Sequence, residues 1–251
     1  MQASCSRTSR SIFWPQVVKH GRITAFHCRG TYLLRGSAFA VVDGIDGRVH
    51  HLKLPDIESA SDGPIDGIVE LRRFEDARGR QRIALAVRSD LNLEQQVTAE
   101  GATWLDRRLV AREGAELSRA GFGAEIRTAL DRRIDTLAEQ GLARRDGDKV
   151  TVGRNLVATL RSREIDSVGR RLATETGLAH LTAESGEPVT GAYRRRLSLA
   201  SGRFAMIDNG LGFQLVPWIP SLERELGRQV NGIAGPGGVE WSFGRKRDLS
   251  L

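Results

Sequence analysis

The chain reads as an α+β protein, with small antiparallel β modules at both ends around a helical, winged-helix-like middle. Three observations carry that reading. Short strand-forming runs separated by Asp-Gly turns fill the first third, and an apolar stripe at helical spacing crosses the middle. A second set of strand runs with an Asn-Gly turn fills the last quarter.

The N-terminal module spans residues 21–89, after a leader, residues 1–20, that is expected to be disordered. Its strand runs are Arg22 to Phe26, Ala38 to Val42, Val49 to Leu54, Ile68 to Phe74 and Arg82 to Val87. The intervening Asp43-Gly44, Asp46-Gly47, Asp62-Gly63-Pro64 and Arg78-Gly79 supply turn chemistry. The middle module spans residues 90–188. There Ile126, Leu130, Ile134 and Leu137 fall at i, i+4, i+8 and i+11, which predicts a helix over Gly123 to Gln140 closed by Gly141. Two short strands around Gly147 follow, and a second helical pattern runs from Leu156 to about Glu175. Helix, short connection and basic hairpin is the order of a winged-helix domain, with Arg144, Arg145 and Lys149 on the wing. The helix face opposite the stripe carries Glu125, Asp131, Arg132, Asp135 and Glu139, more acid than a base-reading helix would hold.

The C-terminal module spans residues 189–251. Its Phe204-Ala-Met-Ile-Asp-Asn-Gly210 and Phe213 to Pro217 repeat the pattern of Phe39-Ala-Val-Val-Asp-Gly44 and Val49 to Pro55: a strand, a tight turn, then a strand ending in proline. Each pair follows a further strand, Arg22 to Phe26 or Gly191 to Leu199. Either two related β modules bracket the middle, or both copies converged on hairpin chemistry.

The chain has 251 residues and a net charge of +7, and its pI is about 10.2. That balance favours polyanions such as DNA. Only four of the 38 basic residues are lysine, and arginine suits bidentate phosphate contact. A GC-rich genome yields the same arginine surplus without any nucleic acid. Beyond the wing, basic residues cluster at Arg170-Arg171, at Arg194, Arg195 and Arg196, and at Arg245, Lys246 and Arg247. On a regular strand Arg194 and Arg196 share a face, with Arg195 opposite, as a phosphate-tracking row or as a charged guard on an edge strand. Trp241 and Phe243, beside the last cluster, would stack on bases or pack a final strand. Trp104 and Trp218 read as core or module-interface anchors.

Several chemistries find no support. No apolar run reaches the length of a membrane span, and Met1 to Trp14 lacks the apolar core of a signal peptide, so a cytoplasmic protein is expected. Cys5 and Cys28 lack metal-ligand spacing. No Walker loop, dinucleotide fingerprint or nucleophile elbow is present, and no cofactor is expected.

Two segments, Leu199-Ala-Ser-Gly-Arg-Phe through Val216-Pro-Trp218 and Val239-Glu-Trp-Ser-Phe-Gly-Arg-Lys-Arg247, resemble the C-terminal region of unknown function in proteobacterial conjugative relaxases. These are the mobilisation nucleases of the type IV secretion pathway. The resemblance continues through Gly101-Ala-Thr-Trp-Leu-Asp-Arg-Arg-Leu109, Gly121-Phe-Gly-Ala-Glu125, Glu139-Gln-Gly-Leu-Ala-Arg-Arg145, Ala173-Thr-Glu-Thr-Gly177 and Val41 to Val49, covering the chain from about Gly21. It implies an accessory part of a relaxase that binds transfer-origin DNA. A module docking onto the coupling or secretion apparatus is the alternative, as is a truncated, nonfunctional remnant, because the leader does not match.

The family's nuclease cuts with a tyrosine hydroxyl beside a metal held by a His-hydrophobe-His triplet. None of the five histidines forms that triplet, and adjacent His50 and His51 would face opposite sides of a strand. The only tyrosines are Tyr32 and Tyr193, both in segments that resemble the noncatalytic region. No strand-cutting activity and no metal site are expected.

Overall fold

The computed structural model describes residues 20–29, 37–54, 63–75, 78–111, 117–147 and 149–243. Cys5, Tyr32, Arg245, Lys246 and Arg247 lie outside them. Strands β1 (His20–Arg29), β2 (Ser37–Gly44), β3 (Val49–Leu54), β4 (Ile68–Glu75) and β5 (Gln81–Ser89) form one antiparallel sheet in the order β3-β2-β1-β4-β5. Alternation dictates its faces. In β3, His50, Leu52 and Leu54 point inward while Val49, His51 and Lys53 point outward. Ile23, Val42, Leu52, Val69 and Leu85 make its core. His50 and His51 do take opposite sides: His50 reaches Asp46 at 3.0 Å, and His51 stacks on Phe39 at 4.8 Å.

Helices α1 (Leu93–Thr98), α2 (Trp104–Ala111), α3 (Gly121–Glu139) and α4 (Leu156–Thr176) make up the middle, together with the hairpin of β6 (Ala143–Asp146) and β7 (Lys149–Val152). A capping box starts α1: Asn92 accepts from the Gln95 N–H while the Gln95 side chain accepts from the Asn92 N–H. Helix α3 begins two residues earlier than its apolar stripe predicts. It ends as predicted, with Gly141 at φ +70° and the Leu142 and Gly141 N–H groups closing on the Leu137 and Ala138 carbonyls.

The stripe of α3 carries one charged residue. Arg133, seven positions after Ile126, is fully buried. Its Nε and Nη2 each lie 2.8 Å from an oxygen of Asp106, and its remaining donors take the carbonyls of Val97, Ala99 and Gly101 at 2.6–3.1 Å. The loop between α1 and α2 is wrapped around this guanidinium, which donates to the carbonyls of Val97, Ala99 and Gly101.

Strands β8 (Ala179–Leu181), β9 (Pro188–Leu199), β10 (Gly202–Asp208), β11 (Gly212–Pro217), β12 (Gln229–Gly235) and β13 (Gly238–Ser242) form the second sheet, in the order β13-β12-β9-β10-β11-β8. A 3-10 helix, Pro220–Glu225, links β11 to β12. β8, from within the 90–188 segment, adds in parallel to β11. One face of this sheet packs Tyr193, Ala205, Ile207, Val216 and Val230. The other presses Phe204, Met206, Phe213 and Leu215 against Val168 and Leu172 of α4.

Candidate nucleic-acid interface

The β9–β10 hairpin tip is where the modules are joined. The Ala200 and Ser201 N–H groups donate to the two oxygens of Glu164 in α4, at 2.8 and 2.9 Å. Ser201 Oγ accepts from the Ala102 N–H at 3.1 Å, and its carbonyl accepts from Arg107 Nη2 at 2.7 Å. A Cβ at Gly101 would meet the Glu164 carboxylate, so the glycine leaves room for that carboxylate at the joint. Two segments far apart in sequence, Gly101 to Leu109 and Leu199 to Trp218, thus meet at one carboxylate. The Leu199-Ala-Ser-Gly motif serves as a joint.

Beside the joint lies a cleft of about 950 Å³ between the two sheets. Arg72 of β4 and Ala84, Ala86 and Arg88 of β5 form one wall; Arg196, Arg203, Trp218 and Glu223 form the other. The guanidinium of Arg196 sits 4.9 Å above the Trp218 ring and that of Arg203 is 5.7 Å from it, within cation–π range. Arg203 is also clamped to Asp90, at 2.8 and 2.5 Å, which ties the first sheet's exit to the second sheet. Arg72 and Arg88 share a single acid, Glu70. Arg107 of α2, at the joint, has its pKa lowered by burial and then by the charges of Arg161 and Arg88. Cations outnumber acids here, and an incoming anion relieves their repulsion.

The arginines singled out from the sequence meet different fates. Arg144 and Lys149 stand exposed on the hairpin, without an ion pair among the described residues. Arg145, expected on the wing surface, turns back onto α3 instead, 3.6 Å from Asp131 and 3.3 Å from Asp135. The acidic face of α3 is not merely solvated: Glu125 holds Arg22 and Arg132 holds Glu94. A groove-reading α3 would have to break these pairs.

The expected row of Arg194 and Arg196 does not form. β9 pairs Tyr193 with Ile207 and Arg195 with Met206, so Arg194 is the extra residue of a β-bulge and the alternation shifts by one. Arg195 faces α4 and reaches Glu175 at 3.6 Å, whereas Arg196 emerges on the opposite face with Trp218 and Glu223. Arg194 is spent on Asp208, at 2.8 Å. Of the three, only Arg196 reaches the cleft. Arg72, Arg88, Arg107 and Arg203 were missed by sequence reasoning because they come from four separate elements and are brought near one another only by folding.

Tyr193 is 1% exposed in the core of the second sheet. Burial first, then the charge of Glu223, raises the pKa of its phenol, which stays protonated at neutral pH. Trp104 is buried in the helical core. Trp241 packs on the second sheet's core and Phe243 stacks beside it at 6.4 Å.

Fold and site together define a two-sheet α+β protein whose modules meet at a basic, tryptophan-floored cleft. The chain belongs to the DUF3363 family of proteins of unknown function, whose model matches residues 72–250. No curated protein and no solved structure matches it.

Proposed function

We propose that this chain is the accessory C-terminal part of a conjugative relaxase, which holds transfer-origin DNA while another polypeptide supplies the strand-cutting tyrosine. The observation that carries the DNA reading is the cleft: arginines from both sheets line it, and two of them, Arg196 and Arg203, stand over the Trp218 indole, the combination of fixed cation and aromatic face that grips a phosphate backbone and its bases. The relaxase context rests on the resemblance of the Gly101–Leu109 and Leu199–Trp218 segments, which meet at the joint. Fluorescence anisotropy with labelled oligonucleotides across a salt series tests the reading. Affinity should fall steeply with salt, because each neutralised phosphate releases counterions. Arg88→Gln with Arg196→Gln should flatten the slope for a single strand by roughly 0.7 per lost contact. Absence of binding at low salt rejects the proposal.

A docking role toward the coupling apparatus has its own support in Ile233 and Phe243, which stand 56% and 40% exposed on β12 and just beyond β13. That role predicts capture of a coupling protein that survives salt sufficient to abolish DNA binding.

A further inference from the structure

Three arginines surround the tip of the β9–β10 hairpin, each brought there by a different element. Arg88 is the extra residue of a bulge in β5, since Ile68 pairs with Ser89 and Val69 with Val87, and it opens onto the cleft with Gly202 and Arg203. Arg107 follows Asp106 in α2. Asp106 points inward to Arg133, so the next residue, turned by about 100° on the helix, leaves that pair behind. Its Nη2 donates to the Ser201 carbonyl at 2.7 Å. Arg161 lies one turn before Glu164 in α4 and shares its face. While Glu164 accepts from the Ala200 and Ser201 N–H groups, the Arg161 guanidinium sits 5.2 Å from the Phe204 ring. The short run from Ser201 to Phe204 thus has Arg88, Arg107 and Arg161 around it.

The acids nearby are already engaged. Asp106, which favours the charged form of Arg107, gives both oxygens to Arg133, and Glu164 gives both of its own to backbone N–H groups. Asp90 is clamped to Arg203, and Glu70 is divided between Arg72 and Arg88. Among the described residues Arg107 has no ion pair and its Nε and Nη1 have no acceptor, while Arg161 has neither an ion pair nor a hydrogen bond. Arg107 and Arg88 are exposed and Arg161 is half-buried, so a ligand can reach them. Burial first, then the charges of Arg161 and Arg88, lower the pKa of Arg107, which puts both cations within its electrostatic reach. Like charges held together raise the energy of the fold, and a multivalent anion among them reverses that sign. The planar fork of arginine matches phosphate oxygens in particular.

We propose that these three arginines form a phosphate seat, centred on Arg107 and flanked by Arg88 from the cleft and by Arg161 from α4. It takes one phosphate group, and it rests on the DNA reading above only for the source of that group. A strand lying in the cleft would set a backbone phosphate there, because Arg88 belongs to both places. A free phosphate would occupy the seat alone. Since the cations come from β5, α2 and α4, the bound group also ties the first sheet to the helices at the joint.

Calorimetric titration of the full-length chain with inorganic phosphate, and anisotropy with labelled oligo-dT across a salt series, separate the two sources. Arg161→Gln removes a charge that has no hydrogen bond to lose, and Arg107→Gln removes one from a second element. Each should weaken phosphate binding about tenfold, as loss of one charge-assisted contact does, with the circular dichroism spectrum unchanged. Arg163→Gln, the same charge change at an exposed position of the same helix, should bind as the wild type does. For a backbone phosphate, the oligo-dT salt slope also falls by roughly 0.7 in Arg161→Gln and not in Arg163→Gln. Phosphate binding that depends on Arg161 while the oligo-dT slope does not keeps the seat and assigns it a free phosphate. The same phosphate result without any oligo-dT binding removes the DNA reading and leaves the seat. An oligo-dT slope unchanged by Arg161→Gln, with phosphate binding absent or unchanged, overturns the seat and leaves the DNA reading standing. Equal losses in Arg163→Gln overturn it too, because net charge alone would then account for them.

Discussion

Arg133 and Asp106 show how much one buried pair can organise. Both side chains are fully buried, and the pair's remaining hydrogen-bonding capacity is taken by three carbonyls and by the Thr103 N–H and hydroxyl. Removing one partner strands a buried charge, so Arg133→Met should cost about 3–5 kcal/mol in urea unfolding, and adding Asp106→Leu should recover part of it. If Arg133→Met unfolds at the wild-type midpoint, the pair is not the keystone described. Asp208 offers a pH-dependent counterpart. Its pKa is lowered by the Gly210 N–H and then by the Arg194 guanidinium. A depressed folded pKa contributes stability that is complete above the ordinary aspartate value, about 3.9, and drains away as pH falls toward the folded value. Asp208→Asn should therefore lower stability at pH 7 and leave a shallower acid limb below about pH 4. Parallel acid limbs for the two proteins would contradict that assignment.

At the scale of elements, the hairpin tip of β9 and β10 is held by partners from the middle of the chain. Glu164 supplies both acceptors for Ala200 and Ser201. With Glu164→Ala, two backbone N–H groups lose their acceptor, at about 1–3 kcal/mol, and their amides should exchange faster than those of β11. Equal protection in the variant would place the joint elsewhere. The helices and strands themselves were largely legible. Glycine and aspartate turns bounded β2 to β5, and the Ile126–Leu137 stripe marked α3 because burial on one side imposes a 3.6-residue period. Helices α1 and α2 escaped, being six and eight residues long, too short for a period to show. The Asn92-x-x-Gln95 capping box was the one signal that could have announced α1. Arg133 escaped for the opposite reason, since a polar residue on an apolar stripe looks like noise until its partners are known.

Across the whole molecule, the paired β modules were visible in the repeated Phe-Ala-x-x-Asp strands, and the structure extends that likeness to strand order, bulge and core. The cleft was not visible. Its walls come from β4 and β5 on one side and from β9, β10 and the Trp218 region on the other, more than a hundred residues apart. Local pattern determined which segments become strands and helices, where they turn and that the chain is basic, because backbone geometry and burial periodicity act over a few residues. Which arginines are neutralised and which face an open cleft was decided only by tertiary structure. A single inserted residue at Arg194 exchanges the faces of a strand, and the acids that claim Arg145, Arg194 and Arg195 lie on other elements. Charge is a property of sequence, but its compensation depends on distances that only folding sets.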